Sequence, residues 1–148
     1  MERKLENLMH KTEIRVQWYD VDRANVVYFG NYFRFFTVAE DRFLRSIGIS
    51  YRDLKDKFNV GFTRVEATCQ YKRSASYEDL IEVHTKVDVE NHMFLCFLFR
   101  IFRKQDQVLL ADGKVRTACV RLGDEFKVVK MPEEVFERLS RASNTDDK

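Results

Sequence analysis

The run WYDVDRANVVYFGNYFRFF, residues 18–36, holds the densest set of groups able to do chemistry. Asp20 and Asp22 close an alternating apolar segment, a bend carrying Asn25 and Gly30 follows, and Asn31 opens a stretch with apolar residues at helical spacing. A carboxylate beside a helix N-terminus combines two capacities. The carboxylate attacks a carbonyl carbon or activates water, and the unpaired N–H groups of the helix end receive charge developing on oxygen. In extended backbone Asp20 and Asp22 point to one face; in a turning chain they diverge. Capping a turn or a helix is the ordinary role of such an aspartate. Position, rather than residue type, is what favours the chemical reading.

Other catalytic patterns are missing from the sequence. It contains no GxSxG elbow, no phosphate-binding GxxxxGK[ST] loop and no GxGxxG after a strand. His10, His84 and His92 offer no pair at metal-ligand spacing and read as surface histidines, so neither a metal nor a cofactor is expected. Cys69, Cys96 and Cys119 are odd in number and widely spaced, which reads as buried, unreactive thiols in a reducing cytoplasm. The net charge is +2 with both signs interleaved, leaving no basic face for nucleic acid. No apolar run approaches the roughly 20 residues a membrane span needs. A length of 148 residues argues for one domain. Aromatic residues make up 14%, with 13 Phe, more than one small core requires; the surplus points to an interface and a homo-oligomer.

The elements that must position the acidic loop follow from periodicity. Residues 13–19 alternate, with Ile14, Val16 and Trp18 on one face, and read as a strand. Residues 31–47 place Tyr32, Phe35, Phe36, Ala39, Phe43 and Ile47 on one helical face, ended by Gly48. Ser50 caps a short helix over residues 51–57. Strands follow at residues 64–72, 80–89, 93–103 and 108–122, with Gly113 read as a bulge, and Pro132 opens a helix to Arg141. Residues 1–11 and 142–148 read as flexible. The order gives an α+β class, one long helix against a curved five-stranded antiparallel sheet whose last four strands form a meander. Residues 93–103 are apolar on both faces, which makes that strand central and covered on both sides, the second cover being another subunit.

The stretch YDVDRANVVYFGNYFRFF resembles the signature of the hot-dog-fold acyl-coenzyme A thioesterases, in the branch of 4-hydroxybenzoyl-CoA thioesterase and YbgC. That signature runs roughly D-x-D-x-x-G-[VI]-V-[YW]-[HFY]-x-N-Y, and Asp20, Asp22, Val26, Val27, Tyr28, Phe29, Asn31 and Tyr32 match it. The stretch TCQYKRSASYEDLIEVHTKV is similar to the family's later strands, so the likeness covers most of the chain. The resemblance implies a hot-dog fold and hydrolysis of an acyl-CoA thioester to free acid and CoA. It places the catalytic aspartate on Asp22 and the carbonyl-polarising backbone N–H on Phe29, aided by Gly30. Asn25, Tyr28, Asn31 and Tyr32 become substrate-binding or site-shaping positions. The site would lie at a subunit interface of a dimer or tetramer, with acyl-CoA as the partner.

Three positions depart from the family pattern. Asn25 stands where the family usually has Gly, Phe29 where many YbgC-like members carry His, and Thr37 where the helix is often acidic. Asn25 sustains an alternative, a non-catalytic acyl-thioester binding module; a thioesterase acting on acyl carrier protein is another. Phe33, Phe35 and Phe36 are candidates either for an acyl tunnel or for plain core. Lys72, Arg73 and Arg116 are candidates for holding CoA phosphates or for ordinary surface charge.

Overall fold

The aromatic stripe of the long helix decides the architecture, because Phe35, Phe36, Ala39 and Phe43 need an apolar surface to lie on. The computed structural model describes residues 9–123 and 125–143. The elements are β1 (His10–Arg15), α1 (Tyr32–Ser46), α2 (Tyr51–Phe58), β2 (Val60–Tyr71), β3 (Leu80–Val89), β4 (Phe94–Arg103), β5 (Leu109–Arg121), β6 (Lys127–Val128) and α3 (Glu133–Ala142). Single 3-10 turns at Trp18–Asp20 and Phe29–Asn31 flank the acidic loop. The sheet runs β1-β3-β4-β5-β2, antiparallel throughout, with the two-residue β6 paired to β5. The class and the curled sheet around one long helix are those expected.

The expected four-strand meander holds only for β3, β4 and β5. β2 pairs with β5, not with β3, so residues 72–79 carry the chain from the β2 edge across the sheet to β3, next to the opposite edge strand β1. β2 also begins earlier than its alternation suggests, because the register slips between Arg64 and Glu66 and leaves Val65 exposed. Gly113 is not a bulge; its register with Phe99 and Cys69 is unbroken. What it provides is room. A Cβ there would lie 2.2 Å from Phe36 Cζ, and the Phe36 ring stacks on Phe99 at 4.5 Å between centroids. The absent side chain seats α1 on the sheet.

β4 is central as expected, yet only its inner face is fully covered. Leu95, Phe97, Phe99 and Ile101 are buried beneath α1, whereas on the outer face Phe94, Leu98 and Phe102 are half-buried and Arg100 is exposed. Long charged side chains provide part of that outer cover, with the Arg116 guanidinium 4.4 Å above the Phe94 ring and Arg100 5.7 Å above Phe102. The histidines are half-buried rather than on the surface: His10 meets Phe43 edge-on, His84 contacts Glu82 at 2.9 Å and His92 stacks on Phe136. Cys96 and Cys119 are buried and Cys69 half-buried, all three free, and burial pushes their thiols up, to about 11 for Cys96 and Cys119.

Both ends are more ordered than the sequence suggests. His10 and Lys11 pair with Thr85 and His84 in β1, and Ala142 and Ser143 are buried, Ser143 Oγ accepting from the Val89 N–H at 3.1 Å. The rest of the segments read as flexible, residues 1–8 and 144–148, lies outside the described residues. Gly48 ends α1 at φ +85°, and Ser50 Oγ accepts from Asp53 N–H at 3.0 Å, as expected. No described helix is long and apolar enough to cross a membrane.

Glu40 ties three elements together. It is 1% exposed on α1, accepts from Arg64 of β2 at 3.0 Å and accepts from the Tyr51 hydroxyl of α2. Burial raises its carboxyl to about 7, against the lowering effect of Arg64. Folding therefore takes up a proton between the ordinary value of 4.5 and about 7. The stability contributed by the neutral acid is fully present below pH 4.5 and is lost as pH rises through 7. Glu40→Gln keeps the shape without the charge. Urea unfolding is expected to show it more stable than the native chain at pH 8, by on the order of 2 kcal/mol, and no more stable at the acid end of the range.

Candidate active site

The site is built from a loop that β1 delivers and α1 receives. Beyond Arg15 the chain stays bonded to residues 72–79, through Val16 N–H to Asp79 O at 2.9 Å and Glu78 N–H to Val16 O at 3.1 Å. It then turns. Asp20 Oδ2 accepts from Gln17 N–H at 2.8 Å, which closes the 3-10 turn, sends Trp18 to 74% exposure and brings Asp20 to 0%. The strand expected over residues 13–19 ends here, because the alternating pattern runs on into a turn that a buried carboxylate enforces. Arg34, in the first turn of α1, meets Asp20 with both arms, Nε to Oδ1 at 2.9 Å and Nη2 to Oδ2 at 2.7 Å. The Asp20 carbonyl accepts from Tyr28 N–H at 2.9 Å and from Asn31 Nδ2 at 3.0 Å.

Asp22 lies on the other side of the turn, exposed. Its Oδ1 accepts from Ala24 N–H at 2.9 Å, its N–H bonds Val26 O at 2.9 Å, and its carbonyl accepts from Asn25 N–H at 2.9 Å. Oδ2 has no partner among the described residues. Asn25 takes φ +68°, the left-handed region that the family's Gly adopts freely and that asparagine tolerates best among the other residues. The bend therefore survives the departure. Residues 72–79 strap the loop from below: Val27 N–H bonds Ala75 O at 2.9 Å, Val26 bridges to Ser76, and the Tyr32 hydroxyl accepts from Ala75 N–H at 3.3 Å. Burial pushes the Tyr32 hydroxyl up.

The chain enters α1 through Phe29–Asn31, with Asn31 N–H on Tyr28 O at 2.8 Å. The N–H groups of Phe29 and Gly30 open this turn and have no acceptor among the described residues. The Tyr71 hydroxyl, from the end of β2, donates to the Phe29 carbonyl at 3.0 Å. The Phe29 ring itself is 62% exposed, beside Tyr28 and Tyr71. What the turn offers chemically is its backbone.

Asp22, Asn25, Tyr28 and Phe29 are exposed and Gly30 half-buried along one loop, the open rim between β1 and α1. Asn31 instead holds the Asp20 carbonyl, and Tyr32 is buried against the strap. Phe35 and Phe36 are core, and Phe33 is half-buried on the helix flank. Arg116 is engaged by Glu90 at 2.9 Å, whereas Lys72 and Arg73 are exposed. A cavity of about 720 Å³, lined in part by His84, Lys86, Leu98, Arg100 and Lys114, opens on the outer face of the sheet and includes none of the loop. Two residues escaped the sequence reading. Arg34 had a signal: a cation in the first turn of a helix opposes the helix dipole and needs an anion beside it. Tyr71 had none, since it reaches Phe29 only through the pairing of distant strands.

The family model of the thioesterase-like superfamily matches residues 16–139. An acyl-CoA thioesterase YbgC of Haemophilus influenzae is 30% identical over 122 residues, covering 82% of this chain and 88% of the relative. A solved protein of Aquifex aeolicus is 31% identical with a TM-score of 0.80, over 88% of this chain and 98% of that one. The 4-hydroxybenzoyl-CoA thioesterase of Pseudomonas shares the fold at a TM-score of 0.81 and 18% identity, over 88% and 98% of the two chains.

Asp20 and Asp22 are separable by mutation. Asp20→Ala is expected to cost on the order of 3 kcal/mol, read as a lowered Tm, since it strips a buried pair of one partner. Asp22→Asn leaves Tm within error. Asn25→Ala is expected to cost about 1 kcal/mol and Asn25→Gly close to nothing in the same melt, the order that a required left-handed backbone imposes.

Proposed function

This chain belongs to the thioesterase-like superfamily, and from that premise we propose that it hydrolyses an acyl-CoA thioester to the free acid and CoA. The observation that carries the reading is the pair of N–H groups, Phe29 and Gly30, without an acceptor among the described residues, on the loop that also carries a carboxylate whose second oxygen has no partner among them. The thioester oxygen accepts from those N–H groups, which favour the charge that builds on it as the carbonyl carbon becomes tetrahedral. Asp22 either adds to that carbon, giving a mixed anhydride that water then opens, or takes the proton of the attacking water. The C–S bond breaks with its electrons on sulfur. A thiol is acidic enough, near pKa 8.5, for the thiolate to leave and pick up a proton from solvent. A histidine acid at position 29 is therefore dispensable. The left-handed backbone at Asn25 favours this reading over a non-catalytic binding module, since the bend that presents Asp22 is kept.

The functional unit in this proposal is a homo-oligomer, a dimer or a pair of dimers. β2 is an edge strand, and Tyr28, Phe29, Val65 and Tyr71 are all exposed along its side of the molecule. A second copy against β2 would cover those rings and wall the open rim. Three free cysteines suit a reducing, cytoplasmic setting.

The test is a panel of short, long and aromatic acyl-CoAs with free CoA release as the readout. Asp22→Asn is expected to lower kcat/KM at least about a hundredfold with folding and assembly unchanged. Near-native turnover in that variant overturns the mechanism, and a native protein that binds acyl-CoAs without turning any over is a binding module. A monomer by light scattering removes the second subunit from the site.

A further inference from the structure

We propose that Tyr71 is a positioning residue: its hydroxyl holds the Phe29 carbonyl so that the Gly30 N–H, the other end of the same peptide unit, is presented to the thioester oxygen. This rests on the hydrolytic reading of the loop. A trans peptide is planar, with its C=O and N–H pointing in opposite directions, so fixing one fixes the other. The carbonyl preceding Phe29 is held locally, by Asn31 N–H at 2.8 Å, and that orients the Phe29 N–H. The carbonyl of Phe29 accepts from Tyr32 N–H at the turn's end and from the Tyr71 hydroxyl at 3.0 Å, the latter being an anchor that comes from outside the loop.

The anchor matters because of Gly30. A peptide that precedes glycine can reverse at small cost, since glycine accepts either sign of φ. Reversed, the unit would aim its carbonyl at the thioester oxygen and repel the developing charge. The hydroxyl bond opposes that reversal. Tyr71 is well placed to make it. It is the last residue of β2, in register with Ala111 of β5, and its ring meets those of Tyr32 at 5.1 Å and Phe29 at 6.2 Å, both edge-on. Burial, then the Cys69 thiol, push the hydroxyl up to about 12, so it remains a proton donor through the whole neutral range. A paired strand thereby adds a second anchor, from outside the turn, to a peptide that its own turn holds by the Tyr32 N–H alone.

Tyr71→Phe removes the hydroxyl and keeps the ring. The variant is expected to lose about tenfold in kcat, part of the hundredfold or more that a whole oxyanion donor contributes, with KM and Tm unchanged. A second readout uses the Asp22→Asn protein, which should hold an uncleaved acyl-CoA. Binding should move the carbon-13-labelled thioester carbonyl stretch to lower frequency, and adding Tyr71→Phe should return it toward its value in solution. A purely structural tyrosine would lower Tm or raise KM and leave the carbonyl shift in place; that result, or an unchanged kcat, overturns the proposal. If the native protein hydrolyses acyl-CoAs and Tyr71→Phe does so equally well, only the role of Tyr71 falls. If the native protein hydrolyses none, the hydrolytic reading falls and takes this role with it.

Discussion

A single buried carboxylate holds the loop in shape. Asp20 gives up its water, a cost of several kcal/mol for an isolated ion, and recovers it through two bonds from Arg34 and one from the Gln17 N–H. Its carbonyl accepts from Tyr28 and Asn31, so one residue grips both the way into the loop and the way out of it. Arg34 is poorly placed on its own, a positive charge at the positive end of α1. The carboxylate reverses the sign of that interaction. Loop and helix are thus joined by polar bonds, and the neighbouring Asp22 keeps one oxygen without a partner among the described residues.

The topology of the sheet provides the rest of the support. Because β2 pairs on the far edge with β5, the chain must cross from there to β3, and residues 72–79 make that crossing beneath the acidic loop. Ala75 and Ser76 then receive Val27, Val26 and Tyr32. The seat of α1 is set independently, by the space above Gly113 that Phe36 fills. A helix seated on the sheet, a strap under the loop and an ion pair across it locate the first N–H groups of the helix from three directions.

Much of this was legible in the sequence wherever a local rule governs. The stripe of α1, the stop at Gly48, the cap at Ser50 and the central place of β4 all follow from spacing and residue type. The motif pointed to Asp22 and Phe29, and both are exposed in the loop between β1 and α1. The failures share a cause, which is that long-range contacts override local pattern. Trp18 continues an alternation that Asp20 cuts short, Gly113 carries the mark of a bulge but answers to a ring on α1, and β2 pairs across the sheet where a hairpin was expected. Tyr71 reads as one more residue of a strand, and only the folded chain brings its hydroxyl to Phe29.

The edge strand carries a liability as well as an opportunity. β2 spans Val60–Tyr71 and offers one side of its backbone unpaired among the described residues. Such a border is a template for any extended chain, including a misfolded sister, and invites amyloid-like stacking. The slip at Arg64 and Glu66 breaks its flatness, and the two charges beside the slip discourage indiscriminate pairing. A partner that fits must match both the irregular register and the charges. The same kink works against a newly made chain aggregating through this edge.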